Sequence, residues 1–359
     1  MTTCLLALED GCVFAGRAFG AGGTRTGEVV FNTAMTGYQE VLTDPSYTGQ
    51  IVTMTSAHIG NYGINDEDVE SGRLHLCGFV VNEASRVHSN PRAAGSLGDY
   101  LAAGGIVALA GIDTRALTRR LRMQGAMRGA ISTEIGDPRE LVEQARRAAP
   151  MVGQDLVSGL PRERSASALT ARTAGRRVVV IDCGVKRNIL RLLEAEGCEV
   201  VLAPPDETAD AILERRPAGV LAGNGPGDPA AVAATIETLR HLLGQVPIFG
   251  ICLGCQLLAL ALGARTYKMK CGHHGANHPV LNLDNGRVEI TSHNHGFAVE
   301  EASLTKTGAR VTRVSLYDRT VEGFAHDPLG LLAVQYHPEA APGPHDSREL
   351  FREFVRRLK

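Results

Sequence analysis

Cys252 stands between two glycines in Gly250-Ile251-Cys252-Leu253-Gly254-Cys255-Gln256, and His337-Pro338-Glu339 follows near the C-terminus. A short apolar segment, Val246 to Ile251, precedes the cysteine, and Gln256 to Leu262 reads as a helix that Gly263 stops. A cysteine framed by glycines between a strand and a helix is a nucleophile-elbow arrangement. The glycines permit a tight, strained turn that presents the side chain above the sheet edge. The sulfur then lies at a helix N-terminus, where the backbone dipole favours the attacking thiolate. His337 supplies the acid and base, and Glu339 holds its imidazole in one tautomer. These residue types at these spacings allow covalent catalysis through a thioester.

Other uses of the same residues fit less well. A lone buried cysteine usually packs as a small hydrophobe, but the glycine frame and the later His-x-Glu argue for chemistry. Cys252, Cys255, Cys271 and His273 or His274 are acceptable zinc-ligand types. A second C-x-x-C is missing, however, and the elbow helix leaves little freedom to close a tetrahedron, so no metal site is expected. A redox role for Cys252-x-x-Cys255 lacks the surrounding of such motifs. The two sulfurs are nevertheless expected to come within bonding reach under mild oxidant.

Elements on either side must position this chemistry. Gly223-Asn224-Gly225-Pro226-Gly227-Asp228-Pro229 follows a strand at Gly219–Ala222, and its glycines let backbone N–H groups approach a ligand. It forms the second wall of an oxyanion hole, with Leu253 N–H as the other donor. Ser292 to Phe297 reads as a polar, glycine-broken turn. Residues 176–359 alternate strands (Arg177–Asp182, Glu199–Leu202, Gly219–Ala222) with helices (Asn188–Glu196, Thr208–Arg215, Ala230–Leu243). That alternation implies a mostly parallel sheet covered by helices on both faces, with ligands bound beyond the C-terminal strand ends. The final helix is expected to start at a capping box, Asp346 with Glu349, and to bury Leu350, Phe351, Phe354, Val355 and Leu358.

Residues 1–150 form a separate unit with strands at Gly27–Asn32, Gln50–Met54 and Ile106–Ala110. Asp113 or Thr114 caps a helix over Arg115–Gln124 that Gly125 ends. Residues 151–175 read as a linker. A length of 359 residues with 44% apolar and 21% charged residues suits two soluble domains. The formal charge of −2 gives no reason to expect nucleic acid as partner. No apolar run is long enough to span a membrane, and eight cysteines without repeated spacing fit a reducing cytoplasm.

With these residues in view, the chain closely resembles the small, glutamine-hydrolysing subunits of carbamoyl phosphate synthase. The elbow, the His-Pro-Glu element and the Gly223–Pro229 loop are shared by class I glutamine amidotransferases generally. Gly37-Tyr38-Gln39-Glu40 running to Asp44-Pro45-Ser46-Tyr47, then Gly111-Ile112-Asp113-Thr114-Arg115, resemble the small-subunit N-terminal domain. Lys186-Arg187-Asn188-Ile189-Leu190 and Gly272-His273-His274-Gly275-Ala276-Asn277-His278-Pro279 extend the likeness across the second half. The resemblance implies an α/β architecture, a mixed β/α N-terminal domain followed by an amidotransferase domain. It implies Cys252 as nucleophile, His337 as acid and base, and Glu339 as orienting carboxylate. It assigns glutamine binding to Ser46, Gly225, Gly227, Leu253, Gln256, Asn294, Gly296 and Phe297, with Ser46 reaching in from the first domain.

The implied activity is hydrolysis of L-glutamine to glutamate and ammonia. The ammonia passes to a large synthetase subunit that makes carbamoyl phosphate from bicarbonate and ATP, for arginine and pyrimidine biosynthesis. No cofactor is expected in this chain; ATP and Mg2+ belong to the large subunit, in a heterodimer or a higher oligomer of heterodimers. One departure stands out: the family usually has GICLGHQ where this chain has GICLGCQ, with Cys255 replacing histidine. The competing functions are a free-standing thiol amidase or γ-glutamyl hydrolase, and a zinc-bearing, non-catalytic binding module.

Overall fold

Short β-branched runs bounded by glycine and polar turns build both halves of the chain. The computed structural model describes residues 2–161 and 176–358. The chain divides into two compact units, Met1–Val152 with Lys270–Gly275, and Gly153–Met269 with Ala276–Lys359.

The first unit contains β1 (Thr3–Leu8), β2 (Val13–Ala18), β3 (Thr24–Asn32), β4 (Gln50–Met54), β5 (His58–Ile59), β6 (Gly78–Val81), β7 (Glu83–Ala84), β8 (Val107–Ala110) and β9 (Met127–Ser132). Seven of these close into a barrel in the order β1-β2-β8-β6-β4-β3-β9. Closure removes free sheet edges, and Leu6, Ile51, Val80, Leu109 and Ile131 pack together in its core. Four helices accompany the strands: α1 (Tyr38–Thr43), α2 (Leu97–Ala103), α3 (Thr114–Gln124) and α4 (Pro138–Arg147). As the sequence predicts, Asp113 caps α3, accepting from Ala116 N at 2.8 Å, and Gly125 follows its last residue. Lys270–Gly275 joins this unit through Ala126 N to Lys270 O at 2.7 Å and Thr33 N to His274 O at 3.1 Å.

The second unit carries β10 (Arg177–Ile181), β11 (Glu199–Ala203), β12 (Gly219–Ala222), β13 (Ile248–Ile251), β14 (Thr266–Asn282), β15 (Val288–Val299), β16 (Arg310–Ser315), β17 (Val321–His326) and β18 (Leu331–Val334). They form a sheet in the order β11-β10-β12-β13-β18-β17-β16-β14-β15. The strands from β11 through β18 pair in parallel, and β17 and β16 continue the sheet antiparallel. The helices are α5 (Arg187–Ala195), α6 (Ala209–Glu214), α7 (Ala233–Leu242), α8 (Leu253–Ala261), α9 (Glu301–Leu304) and α10 (Glu349–Arg357). Alternate strand residues serve opposite faces. Val179 and Ile181 pack with residues of α6, α7 and α8, whereas Val178 and Val180 pack with residues of α5 and α10. Among the described residues no helix is long and apolar enough to cross a membrane.

Four expectations change. Ser292–Phe297 lies within the twelve-residue β15 and is not a turn. The helix expected over Ala230–Leu243 divides into a 3-10 turn at Pro229–Ala231 and α7. Asp346 does not cap α10: its carboxylate accepts from Ile290 N at 3.0 Å, and the helix begins at Glu349 without a side-chain cap. Residues 153–161 of the expected linker pack as part of the second unit, with Val157 buried in its core and Asp228 N donating to Gln154 O at 3.0 Å. Residues 162–175 of that segment lie outside the described residues.

Gly254, the second residue of α8, touches β12 so closely that an added Cβ would overlap the Ala222 carbonyl. Gly254→Ala is therefore expected to lose about 1–3 kcal/mol of stability, since backbone on both sides must shift. Gly136→Ala, with nothing within 4 Å of the added carbon, should fall within about 0.5 kcal/mol of the parent. Denaturation of the two variants checks the contrast.

Candidate active site

β13 ends at Ile251 and α8 begins at Leu253, so Cys252 alone makes the turn between them. Its φ of 54° and ψ of −106° are a conformation that L-residues rarely adopt. Gly250 and Gly254 make room for it. An added Cβ on Gly250 would press on the Leu258 side chain and the Gly254 backbone. Cys252 N donates to Val334 O at 2.9 Å and Gly254 N to Gly223 O at 3.0 Å, tying the elbow to β18 and to the glycine loop. α8 starts immediately after the sulfur, three residues earlier than the sequence suggests, so its N-terminal dipole acts directly on the thiol.

Among the described residues no protein acceptor meets the N–H of Leu253 or of Gly225. An added Cβ on Gly225 would clash with the Cys183 carbonyl and the Leu253 side chain, so only glycine lets this loop lie against the elbow. Gly227 holds a φ of 91°, and Asp228 closes the loop by accepting from Ala230 N at 2.9 Å.

β18 runs parallel to β13, with Ile251 opposite Val334, so the residues after β18 emerge beside Cys252. His337 N donates to Ser292 O at 2.8 Å, and His337 Nδ1 lies 2.6 Å from Glu339 Oε1. Because a carboxylate only accepts, Nδ1 carries the hydrogen and Nε2 is turned to the thiol. Nε2 has no hydrogen-bond partner among the described residues, and Cys252 acts on the ring by charge. Burial alone would lower the His337 pKa. The charges of Glu339 and then Cys252 outweigh it and raise the value to about 10, against the opposing charge of Lys186. Burial alone would raise Glu339; Lys186 and then His337 hold it down at about 2. Lys186 Nζ is 2.9 Å from Glu339 Oε1 and donates to Ala340 O at 2.6 Å, while Asn188 Nδ2 donates to Glu339 O at 2.6 Å.

The residues assigned to glutamine gather in the second unit, except Ser46, which sits in the Pro45–Tyr47 turn of the first with its N–H bonded to Asp44. Asn294, Gly296 and Phe297 follow one another along β15, and Cys252 Sγ lies 3.5 Å from Asn294 O. Gln256 Nε2 donates to Phe297 O at 2.8 Å and to Gln335 Oε1 at 3.0 Å. Lys268 Nζ stands 4.9 Å from the centre of the Phe297 ring.

Sequence reasoning gave no role to Lys186 or Gln335. Gln335 lies in two-residue step with His337 and Glu339, and its Nε2 reaches Cys252 Sγ at 4.0 Å. Cys255 belongs to the core cluster on the other face of the sheet from that of Cys252. Burial first, and the Glu322 charge second, push its thiol well above the ordinary range. It is a neutral core group.

Lys186→Met would leave the Glu339 carboxylate buried with His337 alone. Removing one partner of a buried pair should lower stability by about 3–5 kcal/mol at pH 7. Glu339 has a depressed folded pKa, so its contribution is present above the unfolded value of 4.5 and is lost as pH falls toward about 2. The deficit of the variant should therefore narrow below about pH 4.5, which denaturation at several pH values would show.

Residues 6–131 match the carbamoyl-phosphate synthase small chain CPSase domain, and residues 179–357 match the class-I glutamine amidotransferase family. A carbamoyl phosphate synthase small chain from Syntrophotalea carbinolica is 54% identical, over 98% of this chain and 96% of that one. Those of Aquifex aeolicus (50% identical, 99% and 98% covered) and Thermosynechococcus vestitus (52%, 100% and 97%) match over similar spans. With both halves matched and half the residues identical end to end, this chain belongs to the carbamoyl phosphate synthase small-chain family.

Proposed function

We propose that the chain hydrolyses glutamine through a Cys252 thioester and delivers the ammonia to a large synthetase subunit. The observation that carries this reading is the His337 ring, fixed by Glu339 at Nδ1 and turned toward an elbow cysteine. With its pKa raised, His337 rests as imidazolium beside the sulfur, holding the proton that the leaving group needs.

The thiolate attacks the side-chain amide carbon of glutamine. Leu253 N–H and Gly225 N–H, both without protein acceptors, receive the developing oxyanion. The imidazolium gives its proton to the departing nitrogen, and ammonia leaves as the tetrahedral carbon collapses to the γ-glutamyl thioester. His337, now neutral, takes a proton from water, whose oxygen attacks the thioester carbonyl. Glutamate departs and the sulfur returns as thiolate. Gln256 Oε1 and the β15 residues Asn294, Gly296 and Phe297 hold the substrate, with Gly227 shaping the loop. Ser46 is included as a glutamine-binding residue on the family resemblance.

Phosphoryl transfer belongs to the partner in this scheme: ATP, Mg2+ and bicarbonate act on the large subunit. A cytoplasmic setting and a heterodimer, or an oligomer of heterodimers, follow from the same reading.

Cys252→Ala, assayed with the large subunit, should abolish glutamine-dependent carbamoyl phosphate synthesis and leave synthesis from ammonium salt intact. Continued use of glutamine would refute the thioester route. For the parent chain, adding the large subunit with ATP and bicarbonate should raise glutamate release at least about tenfold, or roughly 1.4 kcal/mol of barrier. A fast isolated chain that ignores the partner would instead indicate a free-standing amidase.

A further inference from the structure

Behind the glutamine-binding strand lies a buried group of side chains that the hydrolysis does not use. Alternation along β15 sends Asn294 to one face and His293 and His295 to the other. There they meet Glu322 of β17, which is fully buried like its neighbours. His293 Nδ1 is 3.1 Å from His295 Nε2; Glu322 Oε2 is 3.6 Å from the first and 3.9 Å from the second.

The outward hydrogen bonds fix which nitrogens carry hydrogen. His295 Nδ1 lies 2.9 Å from Phe297 O, a carbonyl that only accepts, so Nδ1 is protonated. The Thr291 hydroxyl donates to His278 O at 2.9 Å and therefore accepts from His293 Nε2–H at 2.7 Å. In the neutral rings, His293 Nδ1 and His295 Nε2 thus point lone pairs at each other, with a carboxylate beside them. A cation at the centre of these three atoms would be met by all of them. The point equidistant from these atoms lies roughly 2.1 Å from each, the length of zinc–nitrogen and zinc–oxygen bonds.

We infer that this chain binds a zinc-class divalent ion through a ligand set that includes His293 Nδ1, His295 Nε2 and Glu322 Oε2. Two imidazoles and a carboxylate suit zinc and disfavour magnesium or calcium, which take oxygen ligands. The hydrogen bonds from the outer ring nitrogens to Phe297 O and to the Thr291 hydroxyl are the supports that metal-ligating histidines require.

The ion's place gives it a bracing role. It would clamp β15 to β17 where Phe297 O accepts from both His295 and Gln256. On the other side Glu322 O accepts from Gln335 N at 2.9 Å, and Gln335 Nε2 reaches the Cys252 sulfur. The ligands are none of the cysteines that sequence spacing first offers for zinc.

The test is metal analysis of the full chain purified from zinc-supplemented cells, with melting curves of the chelator-stripped protein before and after adding zinc chloride. About one zinc per chain is expected, with a higher melting temperature on zinc addition. His293→Gln and Glu322→Gln, two variants that keep side-chain size, should each hold less than about a tenth of that zinc. Cys252→Ala and Cys271→Ser should keep it. Cobalt substitution should give visible bands of nitrogen and oxygen ligation without thiolate charge-transfer absorption. Absence of both bound zinc and a melting shift would overturn the inference and leave a proton-sharing histidine pair. Zinc that persists in the His293 and Glu322 variants but vanishes with the cysteines would overturn it as well.

Discussion

Everything at the active site depends on a charge that has no water around it. Glu339 is fully buried and ionised, and it remains so because Lys186, itself buried, stands 2.9 Å away. Such a pair contributes little net stability, because the desolvation of two ions offsets most of their attraction. Its consequence is electrostatic: a permanent negative charge at Nδ1 makes His337 a strong base in a place where burial alone would make it a weak one. The raised imidazole then stands beside the elbow sulfur with the proton that the proposed hydrolysis gives to the leaving group.

Parallel strands deliver the two halves of that pair. β13 and β18 are neighbours that end at one edge, so the proposed nucleophile follows one and the proposed acid–base residues follow the other. The strained turn at Cys252 is held by the bonds from Cys252 N to Val334 O and from Gly254 N to Gly223 O. The second of these also sets the glycine loop against the elbow, where the N–H groups of Gly225 and Leu253 have no acceptor among the described residues. One set of backbone contacts therefore positions the proposed nucleophile, acid and oxyanion donors together.

Much of this was legible in residue types. The Gly-x-Cys-x-Gly frame can do little else between a strand and a helix, and His-x-Glu after a strand names its own geometry. The βα alternation of the second half was readable because buried parallel strands are apolar throughout. Barrel closure of the first half was not, because closure is decided by which distant strands pair, such as β1 with β9. β15 reads as a turn for a related reason: its interior is histidine, asparagine and glycine, polar groups satisfied only by partners far along the chain. Lys186 was seen only as part of a family motif and given no role, because a lysine just before a helix usually meets solvent and its partner is 153 positions away. Asp346 looked like a cap by spacing alone, while its carboxylate was taken by Ile290 N of β15.

The account stands on the protonation state of His337 in the resting enzyme. Nitrogen-15 NMR of the histidine-labelled chain, with His337→Gln used to assign its signals, reads that state directly. The account predicts both ring nitrogens of His337 protonated at pH 7–8, with the proton lost only toward pH of about 10. A His337 that is a neutral tautomer at pH 7–8, titrating near the ordinary 6.5, would contradict it.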